Sequence, residues 1–248
     1  LMDRGHDVTL YEKSDKIGGN VIPAAAPSFK IDMKDYLKYL QRQAEKAPAR
    51  VLLNTEATPE LLEKENWYAL IIAVGSSPIV PKVPGVDKPH VHWAGDADLG
   101  NVTVGKKVVI VGAGAVGVEC AIDLGRKGHE VVVVEMQPTL AKLMETSGGA
   151  MLEMMEALRE LNIPVLTSHK LQEITDTGVV CQDLTKNETV TFAADTVLLA
   201  VGMRPNFEVA DRLRRSAPET EVYVVGDAIK AQTIAEATKS AFKAAAYI

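Results

Sequence analysis

The sequence predicts an α/β chain of Rossmann-like, doubly wound, three-layer architecture built on parallel sheets. Three observations carry that prediction. Runs dominated by β-branched and aliphatic residues at 68–74, 107–111, 131–134 and 196–201 have the composition of strands buried on both faces. Strand ends close on glycine, in Ala73-Val74-Gly75, Val111-Gly112, Ala200-Val201-Gly202 and Val225-Gly226, where the chain can turn and a ligand can approach the backbone. Stretches between the runs carry helical spacing, with Met33, Tyr36, Leu37 and Leu40 on one face and Met151, Met154, Met155 and Leu158 on another.

The most informative stretch is 106–135, KKVVIVGAGAVGVECAIDLGRKGHEVVVVE. Lys107–Val111 reads as a buried strand and Gly112-Ala113-Gly114-Ala115-Val116-Gly117 as the turn after it. A helix from Ala115 to about Lys127 follows, and the next strand, Val131–Val134, ends at Glu135. In such a Rossmann-like unit Gly112 permits the tight turn, Gly114 lets the backbone approach a pyrophosphate, and Gly117 lets helix and strand touch. The helix N-terminus directs unpaired N–H groups and the positive end of its dipole to the same place, an anion site that needs no basic side chain. Glu135 has the spacing of an acid that accepts hydrogen bonds from a ribose 2′-hydroxyl. A glutamate repels a 2′-phosphate, so the reading is NADH in preference to NADPH. A glycine turn can be purely architectural, but here the preceding strand, the helix and the terminal acid all agree.

With 248 residues, 47% of them hydrophobic, the chain can bury a sizeable core and hold one or two domains. The net charge of -6 gathers into no long block, and no basic face calls for nucleic acid. No apolar run reaches the length of a membrane span, so the chain reads as soluble with no membrane partner. Cys120 and Cys181 form no CxxC pair, which argues against a redox disulfide or a zinc site and fits small core residues in a reducing cytoplasm. The five histidines lack metal spacing; His90 and His92 share a face of any extended segment, find no third ligand, and read as surface or loop residues.

Leu1 is not a methionine and no targeting segment follows it, so the chain reads as a fragment. Asp7–Tyr11 is a strand ending at Glu12, and Arg4-Gly5-His6 before it repeats Lys127-Gly128-His129 before the strand that ends at Glu135. The repeat makes Glu12 a second ribose-binding acid and implies a strand, GxGxxG turn and helix upstream of Leu1. Without that strand the first sheet lacks its centre, and the open slot predicts instability. Gly18-Gly19-Asn20 form a glycine loop, Ile22–Pro27 are too irregular for a helix, and Asp32 opens an amphipathic helix to about Ala47. Val51–Leu53 is a short strand, Glu60–Lys64 a helical turn, and Tyr68–Val74 a strand closing on Gly75. Pro78, Pro81, Pro84 and Pro89 then stiffen an extended connection between domains.

Beyond Glu135 a loop runs to about Thr146, and the methionine-rich helix after it has the spacing of a face packed on a core. Pro164–Thr167, Gly178–Asp183 and Thr189–Phe192 read as short strands of an antiparallel insert, and Thr196–Val201 as a buried strand ending at Gly202. Asp211–Arg215 alternates charge as a solvated surface does. Val222–Val225 is the last strand. It stops at Gly226-Asp227, beside the N-terminus of an alanine-rich helix from about Thr233, where doubly wound folds place ligand contacts.

Together Glu12, Gly18-Gly19, Ala73-Val74-Gly75, Gly112 to Gly117, Ala200-Val201-Gly202 and Gly226-Asp227 resemble, over nearly the whole chain, the flavoproteins that bind two dinucleotides through an NAD(P)H domain inserted into an FAD domain. YEKSDKIGGN and PGVDKPHV are similar to one branch, the NADH:flavin oxidoreductases of the 2,4-dienoyl-CoA reductase and enoate reductase type. The resemblance implies an FAD domain over 1–103 and 206–248, without its first strand and GxGxxG, and an NAD(P)H domain over 104–205. It implies that Gly112, Ala113, Gly114, Ala115, Val116, Gly117 and Glu135 hold NADH, with Gly202 close to the nicotinamide half. On the flavin side it implies that Glu12 takes the FAD adenosine ribose, that Gly18, Gly19 and Asn20 face the flavin, and that Gly75, Gly226 and Asp227 pass close to its linker. The helix from Thr233 would aim its dipole at the flavin ring. AVGSS stands where the family usually shows ATG.

In that branch an FMN-binding barrel and a cysteine-held iron–sulfur cluster lie upstream. The implied role is therefore electron entry: NADH reduces FAD, and an FMN barrel domain or a separate acceptor takes the electrons on, in an enoate or dienoyl-CoA reductase or an NADH oxidase. Two alternatives stay open, an ADP-holding structural module like that of trimethylamine dehydrogenase relatives and a reductase subunit serving a separate electron carrier. The absence of a cysteine pair argues against the disulfide reductases, which share the architecture. No side chain is expected to act as a catalytic acid or base, because the cofactors carry the reactivity.

Overall fold

A computed structural model describes residues 1–140 and 148–248, so the last part of the loop expected up to Thr146 lies outside the described residues. The chain divides into two compact units, one of residues 1–25, 31–77 and 203–248, the other of residues 26–30 and 78–202.

In the first unit β1 (Thr9–Tyr11) pairs in parallel with β2 (Arg50–Leu52), and β3 (Ala69–Ile72) in parallel with β14 (Glu221–Val224). The chain crossings β4 (Ser76–Pro78) and β13 (Met203–Pro205) pair with each other. Among the described residues no strand joins the β1–β2 pair to the β3–β14 pair. Burial reflects that break. The buried apolar side chains of this unit larger than alanine are Leu62, Ile72, Leu213 and Val225. Helix α2 (Ile31–Lys46) has the predicted face, with Met33, Tyr36, Leu37 and Leu40 half-buried, yet none of its residues is fully buried.

Three short or charged segments of this unit bear on the sequence reading: two depart from it, and the helical turn expected at Glu60–Lys64 is present one residue earlier. Val21–Ala24 forms a single helical turn, α1, where irregular chain is expected, because Gly18 and Gly19 carbonyls take the Val21 and Ile22 N–H groups at 3.0 and 3.1 Å. Pro59–Leu62 forms α3, opened by Thr58, whose hydroxyl accepts from Leu61 N–H. The charge-rich stretch is the second half of helix α7 (Phe207–Arg215), which buries Ala210 and Leu213 while Asp211 pairs with Arg214 and Arg215 on the open side. Helix α8 (Ile234–Tyr247) begins as expected at Thr233, whose hydroxyl accepts from Glu236 N–H.

The second unit is built on a five-stranded sheet in the order β5 (Val91–Trp93), β12 (Thr196–Leu199), β6 (Lys107–Val111), β7 (Glu130–Val134), β8 (Val165–Leu166), all neighbours parallel. The valine-rich runs supply both faces. Val108, Ile110, Val131, Val133 and Leu198 pack on helices α4 (Ala94–Asp98), α5 (Ala115–Arg126) and α6 (Ala150–Glu160). Val109, Val111, Val134, Val197 and Leu199 pack on a three-stranded antiparallel sheet of β9 (His169–Thr175), β10 (Gly178–Asp183) and β11 (Glu188–Ala193). The third layer here is therefore a sheet and not a second set of helices. The methionine stripe of α6 packs on the core as its spacing predicts, with Leu158 2% exposed.

The expected change of domain at residue 104 falls inside this unit. Beyond the proline stretch Pro78–Pro89, Val91–Trp93 hydrogen-bonds beside β12, and Ala94 and Ala97 of α4 are buried in the helical layer, so residues 91–103 belong to this unit. His92 accordingly lies in a strand and not in a loop, while His90 stands in the turn just before it with its Nε2 buried. Residues 164–167 contain β8 of the parallel sheet, while the antiparallel insert gains the unpredicted β9.

Candidate functional site

In the second unit the glycine turn joins β6 to α5. Gly112 has φ +107°, a conformation that favours glycine, and a Cβ there would stand 2.4 Å from the Ala200 carbonyl oxygen. A Cβ on Gly117 would stand 2.0 Å from the Gly112 carbonyl oxygen, so helix and strand touch only because it is absent. Gly114 is different. Its backbone is extended, and a Cβ on it would meet nothing within 4 Å. The protein's own packing gives no reason for a glycine there, whereas a group lying against the backbone from outside does.

Gly114 also stands at the start of α5, where the N–H groups of Ala115, Val116 and Gly117 have no intrahelical acceptor by helix geometry. Ala113, 2% exposed, is turned the other way: its N–H donates to Glu135 Oε2 at 2.8 Å. Glu135 Oε1 accepts from Gln137 N–H at 2.8 Å. The acid at the end of β7 is thus fastened to the glycine turn next door, which brings Gly112 to Gly117 and Glu135 together as one cradle. Gly202, with φ +106°, follows β12 beyond the Ala200 backbone that packs on Gly112, and its carbonyl accepts from Ile79 N–H at 3.0 Å.

Helix α5 is held from behind by a five-residue clip that sequence reasoning misses. Ser28 donates through its N–H and hydroxyl to Asp123 Oδ1 at 2.7 and 2.6 Å, Lys30 pairs with Glu119 at 2.6 Å, and the Arg126 guanidinium sits 5.0 Å from the Phe29 ring centroid. Lys127 takes the other Asp123 oxygen at 2.6 Å. Burial acts to raise Asp123, but the Lys127 and Ser28 hydrogen bonds prevail and hold it below the usual carboxylate range. Burial prevails at Glu119, which is raised although Lys30 opposes it. Asp98 of α4 has a buried Oδ1 without a hydrogen-bond donor, and burial first, then the charges of Asp123 and Glu119, push it up to about 7 while the Cys120 thiol partly offsets them.

The first unit gathers a second set. Asn20 Nδ2 donates to the Ser76 carbonyl at 3.1 Å and to Ser76 Oγ at 3.2 Å, and Ser76 Oγ donates to Asp227 Oδ2 at 2.9 Å. Gln232 N–H donates to Asp227 Oδ1 at 3.2 Å, and Gly226 N–H to Ser240 Oγ at 2.9 Å. Asn20, Gly75 and its neighbour Ser76, Gly226 and Asp227 therefore share one corner. Gly18 lies beneath it for a packing reason, since a Cβ there would stand 2.7 Å from Leu37 Cδ1, while Gly19 meets nothing within 4 Å. Glu12 is engaged elsewhere: its Oε1 accepts from both the N–H and the hydroxyl of Ser14, each at 2.8 Å. Ser76 is the member that sequence reading passes over, although its place directly after a strand-ending glycine is a signal of the same kind as Asp227 after Gly226.

Cys120 and Cys181 are buried and free, and burial raises both thiols, Cys181 to about 11. Among the described residues no group of His, Cys, Asp and Glu could hold a metal, and no helix is long and apolar enough to cross a membrane.

The chain matches the family model described as pyridine nucleotide-disulphide oxidoreductase over residues 2–245. It is 33% identical over 243 residues to a cinnamate reductase of Clostridium sporogenes, an alignment covering 98% of this chain and 36% of that protein. An NADH oxidase of Thermoanaerobacter brockii is 32% identical over 248 residues, covering 98% of this chain and 37% of that protein. The chain thus spans a little over a third of the length of these curated relatives. A solved 2-naphthoyl-CoA reductase, in complex with 2-naphthoyl-CoA, superposes with a TM-score of 0.88 at 32% identity over 97% of this chain and 36% of its own. The T. acidophilum thioredoxin reductase shares the fold, with a TM-score of 0.74 at 19% identity over 98% of this chain and 90% of its own. Family match, parallel-sheet architecture and paired strand–glycine signatures agree, and the chain belongs to the pyridine nucleotide-disulphide oxidoreductase family.

Proposed function

We propose that this chain is the electron-entry module of a larger flavin-dependent reductase, taking NADH in its second unit and FAD in its first. The observation that carries the reading is Gly114, the one glycine of the turn that no intramolecular contact demands and that leaves its backbone open beside a helix N-terminus. Gly112, Ala113, Gly114, Ala115, Val116 and Gly117 would hold the pyrophosphate of NADH and Glu135 its adenosine ribose, with Gly202 beside the nicotinamide half. Glu135 is fixed by two backbone N–H groups and so presents its remaining lone pairs in one direction, which suits a free 2′-hydroxyl and opposes a 2′-phosphate. In the first unit Glu12, Gly18, Gly19, Asn20, Gly75, Gly226 and Asp227 would take FAD.

Bound there, nicotinamide and flavin supply the hydride chemistry. The chain supplies position, and no side chain acts as acid or base. The rest of the protein would pass the electrons on, through an FMN barrel domain and an iron–sulfur cluster or through a separate acceptor, to an activated carbon–carbon double bond. The reductases among the relatives support that direction, and the buried thiols fit a reducing cytoplasm.

Calorimetric titration of the folded chain with NADH and NADPH tests the nucleotide site. NADH is expected to bind at least about tenfold tighter, and Glu135→Arg to erase or invert that ratio while weakening both nucleotides somewhat, because the Ala113 tether is lost. Absence of heat with either nucleotide sinks the proposal. Equal ratios in wild type and variant remove Glu135 from its role.

A further inference from the structure

Ser76 stands at a junction that neither the glycine pattern nor the family resemblance singles out. It is 7% exposed, and groups from two distant segments converge on its hydroxyl, Asn20 Nδ2 at 3.2 Å and Asp227 Oδ2 at 2.9 Å. Chemistry fixes the direction of each proton. The Ser76 carbonyl can only accept, so the Asn20 group 3.1 Å away is the NH2, and the amide oxygen is turned from it. That NH2 also needs a lone pair on Ser76 Oγ, which leaves the hydroxyl proton directed to Asp227, whose carboxylate accepts only. The neighbouring hydroxyl cannot replace it, since Ser77 Oγ is engaged with Asn206 Oδ1 at 2.7 Å.

We propose that Ser76 is a positioning residue for flavin binding: through its hydroxyl it holds Asn20 and Asp227 as a pair of hydrogen-bond acceptors. Such a face matches a chain of hydroxyl groups, which donate, and opposes phosphate oxygens, which accept. The polyol that links a flavin ring to its phosphates has that character. The inference rests on reading the first unit as an FAD site. Without the hydroxyl, Asp227 loses one of its two donors and keeps only the Gln232 N–H, and the Asn20 NH2 keeps only the Ser76 carbonyl. No backbone hydrogen bond depends on it.

The test is FAD titration of the longer protein that carries this chain together with the upstream strand and glycine turn, by flavin fluorescence and visible spectrum, with NADH affinity and melting temperature as checks on the fold. Ser76→Ala is expected to weaken FAD about tenfold and to shift the flavin absorption band, Ser76→Thr to stay within about threefold of wild type, and Ser76→Ala combined with Asp227→Asn to cost little more than either alone. Should Ser76→Ala melt below the assay temperature, Ser76→Cys, similar in shape but a poor hydrogen-bonding group, carries the same comparison. FAD bound equally by wild type and Ser76→Ala overturns the proposal, as does a double variant whose losses multiply. A wild-type longer protein, carrying the upstream glycine turn, that binds NADH and no FAD overturns the flavin reading itself, and this inference with it.

Discussion

Two strand ends in this chain share their chemistry and differ in outcome. Glu12 follows β1 and Glu135 follows β7, and each accepts the backbone N–H two residues on, from Ser14 or Gln137, at 2.8 Å. Glu135 places its second oxygen on Ala113 of a glycine turn, whereas Glu12 adds only the Ser14 hydroxyl. Glu135 is thereby fastened to the glycine turn of the neighbouring strand, and Glu12 has no such partner among the described residues. The same contrast runs through the packing. β6 is flanked by β7 and β12 in a continuous sheet, while the strands of the first unit stand in separate pairs among the described residues. Sheet continuity thus goes with burial: every side chain of valine size or larger below 2% exposure lies in the second unit.

The sharpest way to break that comparison is within the cradle. Gly117→Ala forces a Cβ against the Gly112 carbonyl oxygen and is expected to lower stability by about 3 kcal/mol or more. Gly114→Ala, with open space around its Cβ, should leave the melting temperature near wild type and weaken NADH at least about tenfold. Thermal melts paired with NADH titration separate the two, and equal melting losses would show that Gly114, like Gly117, serves packing. Next in size, amide hydrogen exchange in β6, β7 and β12 should be slower than in β1 and β3 by about a hundredfold, the kinetic trace of a continuous sheet against separate pairs. Uniform protection would erase the distinction.

Smaller effects probe what surrounds α5. Lys30→Met leaves Glu119 without its ion-pair partner, in a pair whose side chains are 17% and 10% exposed, and should cost about 2 kcal/mol at pH 8 by chemical denaturation. The loss should shrink on acidification, because Glu119 already has a raised pKa and takes a proton more readily once Lys30 is gone. Asp98 works in the opposite sense from a salt-bridged acid. Its folded pKa of about 7 lies above its ordinary value, so the folded state binds the extra proton and stability falls as pH rises from about 4 to about 7, then levels off. The stability of Asp98→Asn relative to wild type should therefore rise between pH 4 and pH 8, by as much as about 4 kcal/mol. A pH-independent difference between the two proteins would remove Asp98 as its source.

How much of this was legible in the sequence follows from the range of the forces involved. Lys107–Val111 and Ala115–Arg126 match their predicted positions closely, because a strand buried on both faces, a glycine turn and a helix repeat are all local patterns. The stretch from Pro78 to Pro89 reads as a stiff linker, and only pairing with β12 makes a strand of Val91–Trp93. Strand β9 escapes notice because His169–Thr175 shows polar residues on the face away from the core, and its partner β10 decides its conformation. Asp211–Arg215 looks like open surface until Ala210 and Leu213 are seen to share the buried side of one helix. Asn20 and Asp227 are named in the sequence from the glycine signatures beside them, but only tertiary folding brings Ser76 between the two.

The clip on α5 bears on how such a module can be exchanged. Residues 26–30 lie far from 78–202 along the chain but belong to the same compact body, where Ser28 and Lys30 answer the buried carboxylates of Asp123 and Glu119. The stretch 78–202, transplanted between homologues without residues 26–30, would arrive with those acids unanswered. Swapping coenzyme preference by grafting thus requires a second, separate donor segment, and a chimaera made with a single excision should expose the need through poor folding yield.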